Sequence, residues 1–434
     1  MKTLFFCARD IRDYLKGITD TSELNNTPNF DPQFPALNDA PAVQNFLFDT
    51  MKIYDCREEG RKGTIYGETG IDGLRLDFNF GLRLEVPTGN FHVTIGDDDS
   101  GIIFFDRDIS DVKLISVEKH FIRWRVEVSL DGEKIFAHVL NLEGQPVLIA
   151  FSEKSGLGDI LAMLPYAQEF AKTFACHVKI YLPKYLRELA ANFYPALEQV
   201  GKVTLDNYAT YFMLMYGGDF PYCGVDFRNE PLQRMASVIL GVSTIPPKPT
   251  FKPTEPRIIS EPYICIGVQA STTSKGWLWP GGWDIVVDYL KRLGYRVLCI
   301  DKEAQVIGDG FTVSKPEGAE DFTGDLPLIQ RANLLYHAEF FIGLSSGLAW
   351  IAHMVNCPVV MISGFTQDWH EFYTPYRVAN RLVCNGCFND MRVNFLAKIC
   401  PYHNGTDREL ECQKKISPQQ VINAIERLIL QLRS

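Results

Sequence analysis

The sequence predicts an α/β chain with two halves built on parallel sheets, an antiparallel β unit ahead of them and a cysteine-rich finger behind them. Three observations carry this expectation. From Pro146 onward, continuous apolar runs alternate with turns and helix-period segments. Before Pro146, short alternating runs are separated by turn signals. Near the end, four of the chain's eleven cysteines stand at C-x2-C-x12-C-x11-C spacing.

Residues 1 to 145 are read as one barrel-like β unit. After a short helical start and Asn- and Pro-rich connections from Thr19 to Pro41 come the strand-like runs "LRLDFNF", "LRLEV", "FHVTI", "FIRWRVEV" and "KIFAHVLNL". The turns "PTGN", "GDDDSG" and "LDGE" punctuate them. Asp97, Asp98 and Asp99 read as a solvated hairpin tip rather than a metal site. From residue 146 to 245, "VLIAF", the Gly-rich turn "SEKSGLGD", the helix-period "ILAMLPYAQEFAKTFA" and "HVKIYLP" spell a βαβ unit. The stiff "IPPKPTFKPTEPR" linker leads to a second such half over 257–380. A finger over 381–415 and a helix over 416–434, expected to pack back on the first half, complete the chain.

Two Rossmann-like halves imply a cleft, and open α/β sheets take ligands beyond the carboxyl ends of their strands. Three turns are expected to face it. In "SGLGD", Gly156 and Gly158 leave backbone N–H groups at a helix start, where an anion is favoured. Asp159 reads either as that helix's cap or as a general base. In "QASTTSKGW", Ser271, Thr272, Thr273 and Ser274 offer hydroxyls and Lys275 a cation, a set suited to a diphosphate. In "GLSSGLAW", Ser345, Ser346 and Gly347 open another helix, with a plain serine cap as the alternative. Asp301 or Glu303, after "RVLCI", is placed to bond a ribose or simply to end a strand in solvent. Trp277, Trp279 and Trp283 read as packing.

A net charge of −10 with no basic run argues against a nucleic-acid partner or a polybasic membrane anchor. No run approaches the roughly 18 apolar residues of a membrane span. A cytoplasmic location is expected, where thiols stay reduced. There, Cys384, Cys387, Cys400 and Cys412 are expected to hold a structural metal; ligand chemistry alone suggests zinc, since tetrahedral sulfur sites take zinc or iron. His403 is a substitute ligand or a surface residue. Cys7, Cys56, Cys176, Cys223, Cys265, Cys299 and Cys357 are scattered, and the last three read as buried small hydrophobes.

The order of "SGLGDILAMLPYA", "STTSKGWLWP" and "FFIGLSSGLAWIAHMVNCPVVMISG" resembles the signature segments of the heptosyltransferases, glycosyltransferases of the two-Rossmann-domain GT-B fold. The leading β unit and terminal cysteine cluster resemble, more narrowly, the bacterial autotransporter heptosyltransferases, over roughly residues 60 to 430. That resemblance implies a cytosolic enzyme moving heptose from ADP-heptose to serine hydroxyls of an autotransporter passenger protein. It implies Asp159 as the base, Lys275 and residues 345–347 on the donor diphosphate, iron in the finger and a large ring-like homo-oligomer. Lipopolysaccharide heptosyltransferases carry Asp and His where this chain has Ser345 and Trp350, which weakens a lipid acceptor. A lipopolysaccharide-core acceptor and an inactive nucleotide-binding scaffold remain the alternatives.

Overall fold

The computed structural model describes residues 1–6, 63–116, 118–153, 155–213, 228–308, 311–390, 392 and 400–434. The chain's start, expected to be helical, is a strand over Lys2–Phe6; Cys7, Cys56, Cys223, the 19–41 connections and the middle of the finger lie outside the described residues, as does the Thr273 side chain.

The second half shows its logic most plainly. Strands β13 (Tyr263–Gly267), β14 (Arg296–Cys299), β17 (Glu320–Asp321), β18 (Phe341–Leu344), β19 (Val359–Ile362) and β20 (Arg377–Val378) pair in parallel, in the order β17-β14-β13-β18-β19-β20. This is a doubly wound sheet whose strand order reverses between β13 and β18. Ligands of such sheets bind where the order reverses, beyond the strand ends. The turns after those two strands are "QASTTSK" and "SSG".

The first half repeats the device. Strands β9 (Pro146–Phe151), β10 (His177–Tyr181), β11 (Glu198–Val200) and β12 (Ala209–Met213) run parallel in the order β11-β10-β9-β12. Apart from Pro146, every residue of β9 is buried, as a central strand covered on both faces must be. Its exit leads through the Gly-rich turn into helix α1 (Leu157–Met163). Helix α2 (Pro165–Thr173) follows directly, with Pro165 in the first turn, where a missing N–H costs nothing.

The leading strands form two open sheets instead of the expected barrel. Strands β4 (Phe91–Asp97), β5 (Ile103–Ile109), β7 (Trp124–Leu130) and β8 (Glu133–Val139) make an antiparallel sheet, ordered β5-β4-β7-β8. Strands β1 (Lys2–Phe6), β2 (Arg75–Asn79), β3 (Arg83–Val86) and β6 (Val112–Ser116) extend the first parallel sheet, because β2 pairs with β12 through Ala209↔Phe78 and Thr210↔Asn79. Polar contacts lock this seam. Asn79 donates to the carbonyls of Leu205 and Asn207 at 3.0 and 2.8 Å and accepts the Thr210 hydroxyl at 2.5 Å. Beside it, Arg83 makes a bidentate pair with Asp77 at 2.8 and 2.6 Å, both side chains almost fully buried.

One apolar core runs through the leading strands and the first half and on into the second, joining Ile160 and Leu161 of α1 to Trp350 and Ile351 of helix α7 (Gly347–Met354). A second core lies within the second half. It includes Val286, Val287 and Leu290 of helix α5 (Gly282–Arg292) and the apolar stripe Val421, Ile425 and Leu428 of the last helix, α9 (Pro418–Arg433). That last helix corrects an expectation. It packs on α5, β19 and β20 of the second half, and not back across the first, because its stripe completes the second core. Ser417 caps it and Gln420 reaches back to the Ser417 N–H at 2.8 Å. No described helix is long and apolar enough to cross a membrane.

The seam yields a test. Arg83→Met leaves Asp77 buried and unpaired, so urea denaturation should show a loss of about 3–5 kcal/mol. Arg75→Met, which breaks only the exposed pair with Glu68, should cost under about 1 kcal/mol.

Candidate active site

Gly156 precedes α1 in extended conformation, and Asp159, in the third helical position, accepts the Gly156 N–H at 3.1 Å. The carboxylate is therefore a cap. A carboxylate has two oxygens and about four acceptor positions, so capping does not consume it. Asp159 is half-buried. Ser155, just before, has a buried hydroxyl with no hydrogen-bond partner among the described residues.

Gly158 and Gly347 do something the sequence reading did not assign to them. A Cβ on Gly158 would lie 2.6 Å from the Trp350 ring, and one on Gly347 would lie 2.7 Å from Leu157. Helices α1 and α7 thus touch through reciprocal glycine gaps, one helix from each half. Both glycines serve a helix contact, which brings the exit turns of β9 and β18 together.

In the second half, Thr273–Lys275 form a single tight helical turn after β13. Thr272 and Ser274 hydroxyls bond at 2.9 Å, Ser271 is exposed, and the Lys275 ammonium lies 5.4 Å from the centre of the Phe365 ring. Asp301 sits beneath this exit. Its two oxygens accept the Val268 and Gln269 N–H groups at 2.7 and 3.3 Å, and it is 2% exposed. Burial raises its pKa, opposed by those backbone donors. Asp301 therefore pins the β13 exit from below, and Glu303 lies exposed. Trp277 is buried, with its indole N–H on the Ile416 carbonyl at 2.8 Å.

The cysteines gather. Cys387, Cys400 and Cys412 are buried, Cys384 half-buried, and all four are free. Burial raises the Cys387 and Cys412 thiols to about 12, and the neighbouring cysteines add to it, Cys384 and Cys400 at Cys387 and all three others at Cys412. Such a set resists ionisation until a cation joins it, which is the donor chemistry of a thiolate metal site. The ligand atoms of Cys384, His403 and Glu411 also lie within 4.8 Å of one another. Arg228 clasps the C-x2-C knuckle from the first half, donating to the Phe388 carbonyl at 2.6 Å and the Asp390 carbonyl at 2.5 Å. Of the scattered cysteines, Cys265, Cys299 and Cys357 are buried as expected.

The sequence reading missed the segment after β19, "TQDWHEFY". Polar residues directly beyond a buried parallel strand were the available signal. Ser345 donates to Glu371 at 2.5 Å, Thr366 donates to the same oxygen at 2.8 Å, and Arg377 pairs with the other at 2.8 Å. Burial acts to raise the Glu371 pKa and is outweighed by Arg377, His370 and the two hydroxyls, which hold it below the ordinary carboxylate range. Ser346, the α7 cap residue, keeps a buried hydroxyl with no partner among the described residues. His370 is buried against Phe388, its ring centre 4.8 Å away, and Asn389 donates toward its Nδ1 at 3.3 Å. Burial lowers its pKa; Glu371 and Asp159 act to raise it, and Lys275 to lower it. One ring thus lies within electrostatic reach of Asp159 from the first half and Lys275 from the second. The Glu371 depression has a pH signature. Its stabilisation is present above the ordinary carboxylate pKa of about 4.3 and lost as pH falls through the lower folded-state value. In urea titrations Glu371→Gln should be less stable than the native chain at pH 7, and the gap should close as pH falls below about 4.

Two family models match: the N-terminal domain of glycosyltransferase TibC over residues 70–132, and glycosyltransferase family 9 (heptosyltransferase) over residues 240–394. The autotransporter heptosyltransferase BAHTCr of Citrobacter rodentium is 43% identical over 369 residues, covering 83% of this chain and 90% of that protein. The crystal structure of the iron-containing dodecameric glycosyltransferase TibC from enterotoxigenic E. coli superposes with TM-score 0.82 at 39% identity, covering 85% of this chain and 99% of TibC. TibC is also known in complex with ADP-D-beta-D-heptose. The inactive autotransporter heptosyltransferase BimC of Burkholderia thailandensis is 34% identical over 418 residues, covering 94% of this chain and 96% of BimC. With its sheets, its crevice turns and these relatives, the chain belongs to the autotransporter heptosyltransferases of glycosyltransferase family 9.

Proposed function

We propose that this protein transfers heptose from ADP-heptose to serine or threonine hydroxyls of an autotransporter passenger, with inversion at the anomeric carbon. The acceptor oxygen forms a bond to that carbon as the bond to the ADP phosphate oxygen breaks. Asp159 takes the hydroxyl proton, and ADP departs with the electron pair. Lys275, the Ser271–Ser274 hydroxyls and the α7 start at Ser345, Ser346 and Gly347 stabilise the charge growing on the diphosphate. Asp301 contributes by fixing the β13 exit and not by touching ribose. In this reading residues 146–245 carry the acceptor side and the base, and residues 257–380 bind the donor.

The observation that carries it is the α1–α7 contact, which sets the helix start bearing Asp159 in the first half against the helix that opens at Ser345, Ser346 and Gly347 in the second. A base and a leaving-group cation have to flank one reacting bond, and these two charges come from opposite halves. The donor assignment is supported by the TibC complex. Electrostatic coupling among the four thiols and the close group of Cys384, His403 and Glu411 support a metal, and the TibC structure supports iron over zinc and a large homo-oligomer over a monomer. Cys384, Cys387, Cys400 and Cys412 would hold that ion, which supplies a structural cross-link and no reactive position. Free thiols at every described cysteine agree with a cytoplasmic location.

BimC favours a second reading, an inactive member retaining the nucleotide fold. Intact-mass analysis of a passenger protein incubated with the chain and ADP-heptose separates the two. Added heptose masses are expected, and an unchanged mass would establish the inactive reading. Asp159→Asn should lower transfer by at least about 100-fold while ADP binding and thermal midpoint hold, since an asparagine keeps the cap to Gly156. Loss of ADP binding and stability together would reduce Asp159 to a cap.

A further inference from the structure

We propose that Gln413 is a positioning residue for the Lys275 turn, and that with Phe388 it makes the grip on the donor diphosphate depend on closure of the cysteine cluster. This rests on the reading of Lys275 as a donor contact.

Gln413 is fully buried, lies in the short helix Glu411–Lys414, and spans 139 positions of sequence to reach the turn. Its side-chain amide donates to the Ser274 carbonyl at 2.7 Å, and its own carbonyl accepts the Leu278 N–H at 3.2 Å. One residue therefore brackets Lys275 from both sides. The turn is short. It is three residues of tight helix, with the Lys275 N–H on the Thr272 carbonyl at 3.1 Å, and such short turns have poor hydrogen-bond geometry.

A second strut reaches the lysine's charged end. The Phe388 N–H donates to the Phe365 carbonyl at 3.0 Å, the two rings meet edge to face at 5.6 Å, and the Phe365 ring lies beside the Lys275 ammonium. Gln413 directly follows Cys412, and Phe388 directly follows Cys387. Each strut is thus one peptide unit from a cysteine of the cluster, so the distance between those cysteines sets both contacts. Little slack exists to absorb a shift, because a Cβ on Gly364 would meet the Cys412 carbonyl at 2.4 Å. A hydrogen bond at 2.7 Å weakens steeply once stretched past about 3.2 Å.

The test titrates ADP by calorimetry into the full-length, metal-loaded protein. Gln413→Met keeps the length of the side chain and removes the N–H at Ser274; the amide oxygen it also removes is buried without a partner among the described residues. ADP should bind about 5-fold more weakly, with KM for the nucleotide sugar raised more than kcat is lowered. Metal content and Tm should match the native protein. Chelation should weaken ADP binding in the native protein, and by a smaller factor in Gln413→Met, where only the Phe388 strut is left to slacken. Native ADP affinity in Gln413→Met, with affinity lost in Lys275→Met, would overturn the strut and leave the donor reading standing. Native affinity in Lys275→Met would overturn the donor reading and this proposal with it. Metal loss or a lowered Tm in Gln413→Met would assign the residue to folding of the finger and overturn its positioning role.

Discussion

The contact of α1 with α7 is the constraint on which the rest depends. Two parallel sheets each direct their exit turns at a crevice, but two such crevices make one site only if the sheets are held face to face. Gly158 under Trp350 and Gly347 under Leu157 let the helices that start at those turns touch. A side chain at either glycine would meet packed atoms under 3 Å away, and a core at crystal-like density has no room to yield. The same contact carries the apolar core from one half into the other, so folding and site assembly are one event. Catalytic geometry between halves is then inherited from packing.

That contact also explains what could and could not be read from the sequence. The alternation of apolar strand, small-residue turn and helix-period segment is a local pattern, and it gave the two parallel sheets and the three turns at their exits. The glycines in those turns were visible, but a glycine signals only that something comes close. Whether phosphate, backbone or a tryptophan ring fills the gap is decided by residues some 190 positions away. Asp301 was legible only in part for a related reason. Position after the second strand suggests a ribose partner, yet the neighbouring strand's exit turn presents its own N–H groups there, and they take the carboxylate. The leading strands alternate as an antiparallel unit should. Nothing local could say that Asn79 would join Thr210 and continue another sheet. His370, Glu371 and Gln413 are ordinary polar residues until the fold surrounds them.

Charge is distributed against the protein's average. The chain carries a net −10, yet the crevice turns hold Lys275, while the acidic Glu371 is consumed by Arg377, Ser345 and Thr366. A buried carboxylate left unpaired would repel an incoming diphosphate. Paired, it instead orients the Ser345 hydroxyl and holds the β18 and β19 exits in one frame. His370 is buried, within electrostatic reach of both Asp159 and Lys275.

The relationship to BimC sharpens where activity resides. A relative named inactive aligns over 94% of this chain at 34% identity, so membership of the family does not by itself decide activity. What decides it must be a small set of side chains placed by a scaffold both kinds of protein share. In this chain the scaffold ends in a half-buried carboxylate on one helix start and an ammonium on the opposing turn. The first needs only α1 to be capped; the second hangs on contacts made by the residues following Cys387 and Cys412. Under the proposed roles, activity would have two physically distinct routes to loss, removal of a reacting group or slackening of the cysteine-rich segment that holds its partner. The first would leave nucleotide binding intact, and the second would not.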